Sequence, residues 1–138
     1  MEVRLESTQG LGKMAEVLIN GEPYYVCDGI SPREGKLAPG VVEGVKFTYM
    51  TEAGFSWEQA SRGNPAEERV LNHVKGWSYE GLGRVIQVMP VLVDYGVLEM
   101  EDSNWTNDES LVGRYVNIPI DRLEIVSASQ SDWPEHLR

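Results

Sequence analysis

The stretch from Gly81 to Val126 constrains the fold more than any other part of the chain, because its apolar residues follow the spacing of β-strands. Its run from Val85 to Val93 consists mainly of Val, Ile, Leu and Met, and it is too short for an amphipathic helix. Pro90 cannot donate a hydrogen bond to a strand ladder. We therefore predict β-structure here, with a strand that bulges, lies at an edge or begins anew near Pro90.

Two turn signals follow this run. Asp94, Tyr95 and Gly96 combine a turn-forming acid with a glycine, which favours a hairpin or a sharp bend before a strand at Val97 to Met100. The segment from Glu101 to Ser110 contains turn residues and four carboxylates. This composition predicts an acidic loop.

The last predicted strand runs from Tyr115 to Val126. Val116, Ile118 and Ile120 recur at period two, which predicts a strand with one buried face. Leu123 follows Ile120 by three residues, so a regular strand would place the two side chains on opposite faces. We therefore predict a bulge or a break between them.

The first half of the chain also predicts strands. Asn20-Gly21 lies between two apolar runs, and this dipeptide is the strongest short hairpin signal in a sequence. Two Gly-Leu-Gly segments, Gly10 to Gly12 and Gly81 to Gly83, each come before an apolar segment. We interpret both as glycine bends between strands. The further predicted strands are Val3 to Glu6, Met14 to Ile19, Glu22 to Cys27, and Val41 to Met50, the last with Val45, Phe47 and Tyr49 on one face.

The region before Tyr79 leaves helix and strand open. Ser56 to Ser61 can form one or two helical turns, and Asn64-Pro65 followed by Glu67 has the form of a helix start. For residues 66–79 the alternative is a strand, since the valine and aromatic residues from Arg69 to Tyr79 suit a pleated surface. We favour the strand.

Length and cysteine content favour one domain without disulfides. Chains near 150 residues bury about 70% of their unfolded surface, which is enough for an independent core. Cys27 is the only cysteine among 138 residues, and on a predicted strand we expect it to be a buried, inert thiol. We predict a single barrel-like domain over residues 1–126 and a polar tail over residues 127–138, which contains Trp133.

The strands and glycine bends together predict an all-β fold. We expect a small, partly closed β-barrel with at most one short helix, and a β-sandwich is the alternative. This barrel resembles the oligonucleotide and oligosaccharide-binding (OB) barrels. The resemblance is limited to the architecture, since the sequence carries no motif of that family.

The net charge of −10 limits the classes of partner. With 22 acids against 12 scattered bases, the chain is poorly suited to nucleic acids and to anionic membranes, which both require clustered positive charge. Its first residues lack an apolar signal segment, and no apolar run is long enough to span a bilayer. We predict a cytoplasmic protein that binds a protein or a neutral small ligand without a cofactor.

Aromatic residues are the candidate contacts for such a partner. Trp57 and Trp105 lie in polar loop segments, Tyr95 lies in a predicted turn, and Trp133 lies in the polar tail. Aromatic side chains outside a core are frequent anchors in binding surfaces. We therefore predict that these four residues contact a ligand or partner.

The acids provide weaker alternatives. Asp94 is flanked by apolar residues, so burial could raise its pKa, and with Glu99 it supplies the carboxylates that a hydrolase needs. Asp102, Asp108 and Glu109 could offer oxygen ligands to a metal. The segment lacks the glycine and the glutamate of a calcium-binding loop, however, and we interpret it as a solvated acidic loop.

Three hypotheses of function follow. The first is a non-enzymatic binding or interaction module that recognises a protein or a neutral ligand through loop aromatics and an acidic rim. The second is a carboxylate-dependent hydrolase. The third is a structural homo-oligomer.

Overall fold

The computed structural model describes residues 1–129, so Trp133 and the rest of the predicted tail beyond Ser129 lie outside the described residues. Their regular structure is mainly β-strand, with a single turn of α-helix and a 3-10 turn, which confirms the all-β prediction for this part of the chain. In chain order the elements are β1 (Val3–Thr8), β2 (Met14–Ile19), β3 (Glu22–Asp28), β4 (Gly40–Thr51), α1 (Trp57–Ala60), β5 (Val70–Lys75), β6 (Ser78–Gln87), β7 (Val91–Asp94), β8 (Glu99–Asp102), the 3-10 turn Glu109–Leu111, and β9 (Tyr115–Ser129).

The chain divides into two compact units, and the divisions fall within β4 and β9. The first unit is a ring of five strands in the order β3-β2-β1-β4-β9. A parallel pairing of β3 with β9, through Cys27↔Glu124 and Asp28↔Ile125, closes the ring. The predicted small barrel is thus confirmed, and it is closed where we expected partial closure.

The β2–β3 hairpin is confirmed at the predicted position. Ile19 pairs with Glu22 across the turn, so Asn20 and Gly21 are the two loop residues. Their φ angles of +51° and +85° lie in the left-handed region that a two-residue turn of this kind requires.

Strand β4 has the predicted alternation over its second half. Phe47 and Tyr49 are buried and Val45 is half-buried. Nearer its start, Val42 is buried with the opposite parity. Gly44 lies between the two registers with φ +61°, a conformation that glycine adopts without strain, so the buried face changes there.

The second unit is an antiparallel sheet in the order β9-β6-β7-β8, with β5 paired to the first half of β6. One turn of helix forms at α1, as expected from Ser56, whose side chain accepts a hydrogen bond from the Gln59 N–H. The region from Arg69 to Tyr79 is a hairpin of β5 and β6 that turns at Gly76, so the single predicted strand is two.

The helix start that the sequence left open at Asn64 does not form. The Asn64 amide donates to the backbone carbonyls of Glu68 and Val116, and its oxygen accepts the Glu68 N–H at 2.9 Å. The side chain therefore holds a turn, because its hydrogen bonds compete with those of a helical backbone.

The interruption at Pro90 is confirmed, since β6 ends at Gln87 and β7 begins anew at Val91. The predicted turn at Asp94 to Gly96 is also present, and the Tyr95 N–H closes it by donating to the Leu98 carbonyl at 2.8 Å.

Strand β9 shows the predicted slip. Ile118 and Ile120 are buried, and so is Leu123, which has the opposite parity. The strand continues past Val126 to Ser129, while the division into a domain of residues 1–126 and a tail stays a prediction. No helix among the described residues is long and apolar enough to cross a membrane.

The two Gly-Leu-Gly segments differ in their structural roles. Gly10 and Gly12 have φ +116° and +76° around a turn, as predicted for a glycine bend. Gly81 lies inside β6 instead, and a Cβ there would lie 2.7 Å from Cε1 of Tyr95. Gly83 would place a Cβ 2.9 Å from Cδ1 of the same ring. These two glycines leave space for the Tyr95 ring, so the bend predicted there is wrong.

Candidate functional site

The candidate site is the loop over residues 103–108, which follows β8 and begins next to a buried acid. Asp102, the last residue of β8, is 4% exposed. The Tyr49 hydroxyl donates to Oδ2 of Asp102, and the Tyr95 hydroxyl donates to the Tyr49 oxygen at 2.7 Å. The two rings meet edge to face, with centroids 5.8 Å apart. A chain of hydrogen bonds thus runs from the core to the root of the loop.

Burial raises the pKa of Tyr49 well above its ordinary value, and neighbouring Tyr95 and Asp102 raise it further. Burial also raises the pKa of Tyr95 well above its ordinary value, although the hydrogen bond to Tyr49 acts in the opposite direction. Both hydroxyls therefore stay protonated near neutral pH and act as donors, which suits anchoring rather than proton transfer.

Asn104 fixes the first part of the loop. Its backbone N–H and its Nδ2 both donate to Oδ1 of Asp102, at 2.7 and 2.8 Å. Its Nδ2 also donates to Oγ1 of Thr51 at 3.0 Å, and its carbonyl accepts the Trp57 indole N–H at 3.0 Å. The ends of β4 and β8 and the start of α1 are therefore joined at one residue.

Trp105 follows directly and points outward. Among residues 1–129 it is the one aromatic residue in the group of exposed large apolar side chains, with 69% of its surface exposed. The far side of the loop is also held: Thr106 Oγ1 accepts the Asp108 N–H at 3.1 Å, and Asp108 Oδ1 accepts the Ser110 N–H at 3.0 Å. The hydrogen bonds from Ser110 lower the pKa of Asp108. The loop thus presents an indole ring from a hydrogen-bonded frame.

The other predicted contact residues lie elsewhere. Trp57 is half-buried, packs edge to face on Phe55 with centroids 4.9 Å apart, and uses its N–H to hold Asn104. Tyr95 is fully buried, so it packs in the core and does not face a partner. Trp133 lies outside the described residues.

Asp94 and Glu99 are cross-strand neighbours in the β7–β8 pair. Arg69 Nη1 donates to Oδ2 of Asp94 at 2.7 Å, and the Gly96 N–H donates to Oδ1 at 2.8 Å. Partial burial acts to raise the pKa of Asp94, but these hydrogen bonds and the charges of Arg69 and Arg84 outweigh it, and the pKa is lowered. The expectation of a raised pKa is wrong, and the residue lacks the property of a general acid.

The three candidate metal ligands do not converge. Asp102 faces the core and binds Tyr49, Asp108 caps the 3-10 turn, and Glu109 is exposed. Over residues 1–129, no group of three or more His, Cys, Asp or Glu side chains is arranged to hold a metal ion.

The sequence interpretation missed Tyr49 and Asn104 as the residues that hold the loop. Asn104 had a local signal, because an Asp at a strand end often accepts the N–H two residues later. Tyr49 had none, because it lies 53 residues from Asp102 along the chain.

The site is therefore an anchored surface loop with an exposed indole ring and the exposed carboxylate of Asp108. Comparison of the chain with protein-family models, with curated proteins and with solved structures finds no match in any of the three.

Proposed function

We propose that this protein is a non-enzymatic binding module that recognises a protein or a neutral ligand through the loop over residues 103–108. The observation that carries the proposal is the 69% exposure of Trp105 next to Asn104, which is hydrogen-bonded to three elements. A side chain on a fixed loop loses little conformational entropy when it binds. Trp105 is therefore the main contact in this proposal.

The energy available at this ring is sufficient for an anchor. Aromatic side chains bury about 150–250 Å² each, and apolar burial is worth roughly 25 cal/mol per Å². Covering the exposed 69% of Trp105 is then worth on the order of 3–4 kcal/mol. That value lies in the range of binding hot spots, which are enriched in tryptophan.

The acidic rim supports a neutral or basic partner. Glu99 and Glu101 are exposed on β8, Asp108 ends the loop, and Glu109 begins the 3-10 turn. Charged side chains on a short edge strand also oppose pairing with another sheet. Within the described residues β8 pairs with β7 alone, so its acids weaken the alternative of a homo-oligomer built through this edge.

The proposal extends to two general properties. A cytoplasmic location agrees with a free, buried Cys27 and the absence of any second cysteine. An OB-like description of the barrel agrees with its five strands and its β3–β9 closure. The hydrolase alternative has less support, because Arg69 and Gly96 hold Asp94 in its ionised form.

The test is affinity capture from a lysate of the source cells with the immobilised full chain. We expect a partner that the wild type and Met89→Ala retain and that Trp105→Ala loses at least tenfold. Met89 is the control because it is another large apolar side chain, 53% exposed, in the turn before β7. Equal retention by Trp105→Ala, or no retained partner at all, would contradict the proposal.

A further inference from the structure

A cleft of about 360 Å³ lies between α1 and the 3-10 turn, and we call it the α1 cleft. Its apolar lining consists of the half-buried Trp57 and of Leu111, which is 6% exposed. Pockets for small ligands start at about 300 Å³. The α1 cleft therefore has room for one or two side chains and not for a folded element.

The polar lining of the α1 cleft carries both signs of charge. Glu58 and Arg62 form an ion pair on the helix side, and Asp108 and Arg114 line the other side. The Glu58 and Arg62 side chains are 75% and 71% exposed, and such surface pairs are weak. Either side chain can therefore leave this ion pair and bind a charged or amide group of a ligand at little cost in free energy.

The α1 cleft is continuous with the loop that carries Trp105. Trp57 lines the cleft and donates its indole N–H to Asn104, and Asp108 belongs to both the loop and the cleft. Asp108 follows Trp105 by three residues, so their Cα atoms lie at most about 11 Å apart. Three or four residues of an extended chain cover that distance.

We infer that the partner contacts this module through a short, extended peptide segment with an apolar side chain in the α1 cleft and a Lys or Arg side chain against Trp105. This inference rests on the proposed function. The apolar lining selects the first side chain. A cation over an exposed indole gains cation–π attraction, and the net charge of −10 favours a basic partner. Peptide amides match a rim that offers both donors and acceptors.

The test uses a phage-displayed random peptide library selected on the purified full chain, followed by fluorescence polarisation with the synthetic peptides. We expect selected peptides to contain an apolar residue within about four positions of a Lys or Arg. Ser110→Phe fills the cleft from an exposed lining position and should weaken binding at least tenfold, as should Trp105→Ala. Ser7→Phe adds the same side chain at an exposed position of β1 and should change the Kd less than twofold.

Glu58→Lys serves as a second cleft variant if Ser110→Phe does not fold, and it should weaken binding at least fivefold, because it replaces an exposed acid of the rim with a base that repels a basic peptide. Peptides that bind the cleft variants as tightly as wild type overturn the inference. Failure to enrich any peptide also overturns it. If lysate capture still shows a partner that depends on Trp105, the proposed function stands and the partner uses a folded surface instead.

Discussion

The hydroxyl of Tyr49 donates a hydrogen bond to the carboxylate of Asp102, and the two residues are only 3% and 4% exposed. A buried carboxylate is costly unless donors surround it, and here Tyr49 and Asn104 supply them. The same bonds join the end of β4 to the root of the binding loop. The stability of the second unit and the position of Trp105 should therefore depend on the buried carboxylate of Asp102 and its hydrogen bonds.

Tyr49→Phe removes this donor without changing the shape of the ring. We expect a loss of about 1–3 kcal/mol in the free energy of unfolding, because Asp102 loses a donor and the Tyr95 hydroxyl loses its acceptor. Amide hydrogen exchange over residues 103–106 should accelerate at the same time. Denaturant titration and exchange mass spectrometry measure the two effects. Tyr115→Phe, at a half-buried position, is the control and should change stability by less than about 0.5 kcal/mol.

Asp28 should make the barrel sensitive to acid. It is 1% exposed, and it accepts hydrogen bonds from the Thr8 and Ser31 hydroxyls and from the Ile30 and Ser31 N–H groups. Burial acts to raise the pKa of Asp28, but these hydrogen bonds outweigh it, and the folded-state pKa is lowered.

A lowered folded-state pKa contributes stability that is present above the unfolded pKa, about 3.9, and is lost as the pH falls through the folded pKa. We expect Asp28→Asn to cost about 2–3 kcal/mol at pH 7 and to flatten the dependence of stability on pH below about 5. Urea titrations between pH 7 and pH 3 measure both effects, with the exposed Asp121→Asn as control. An unchanged pH profile in Asp28→Asn would contradict this assignment.

Gly81→Ala should destabilise the second unit by overpacking. The added Cβ would lie 2.7 Å from Tyr95 Cε1 and 2.9 Å from Ile120 Cδ1, well inside van der Waals contact. Such insertions cost about 1–3 kcal/mol. Tyr95→Leu removes the ring, so the two substitutions together should cost less than the sum of their separate effects. Additive effects in this double-mutant cycle would show that the ring and the glycine are not coupled.

The Cys27 thiol should be unreactive in the native protein. Burial raises its pKa to about 11, with further contributions from a hydrogen bond to Glu124 and from the Glu124 charge. At pH 8 only about one thiol in a thousand would then be ionised, and only the thiolate reacts. We expect reaction with Ellman's reagent at the rate of unfolding, and rapidly in urea. Rapid modification without denaturant would contradict the buried position.

Much of the fold could be predicted from local patterns. Period-two alternation marked Val116 to Ile120, and Asn20-Gly21 marked its hairpin, because strand faces and tight turns depend on neighbouring residues alone. Asn64 shows the limit of such signals. Its sequence has the form of a helix start, but its side chain instead holds a turn through hydrogen bonds to Glu68 and to the carbonyl of Val116, 52 residues away.

The sequence by itself determined an acidic, all-β chain with four tryptophans and a carboxylate-rich segment from Glu101 to Ser110. The tertiary structure decided which of these residues face outward. Tyr95 is in the core because Gly81 and Gly83 leave space for its ring, and Trp105 is on the surface because Tyr49 and Asp102 hold its loop. These contacts join residues distant in the chain, and strand pairing, which no local pattern records, brings them together.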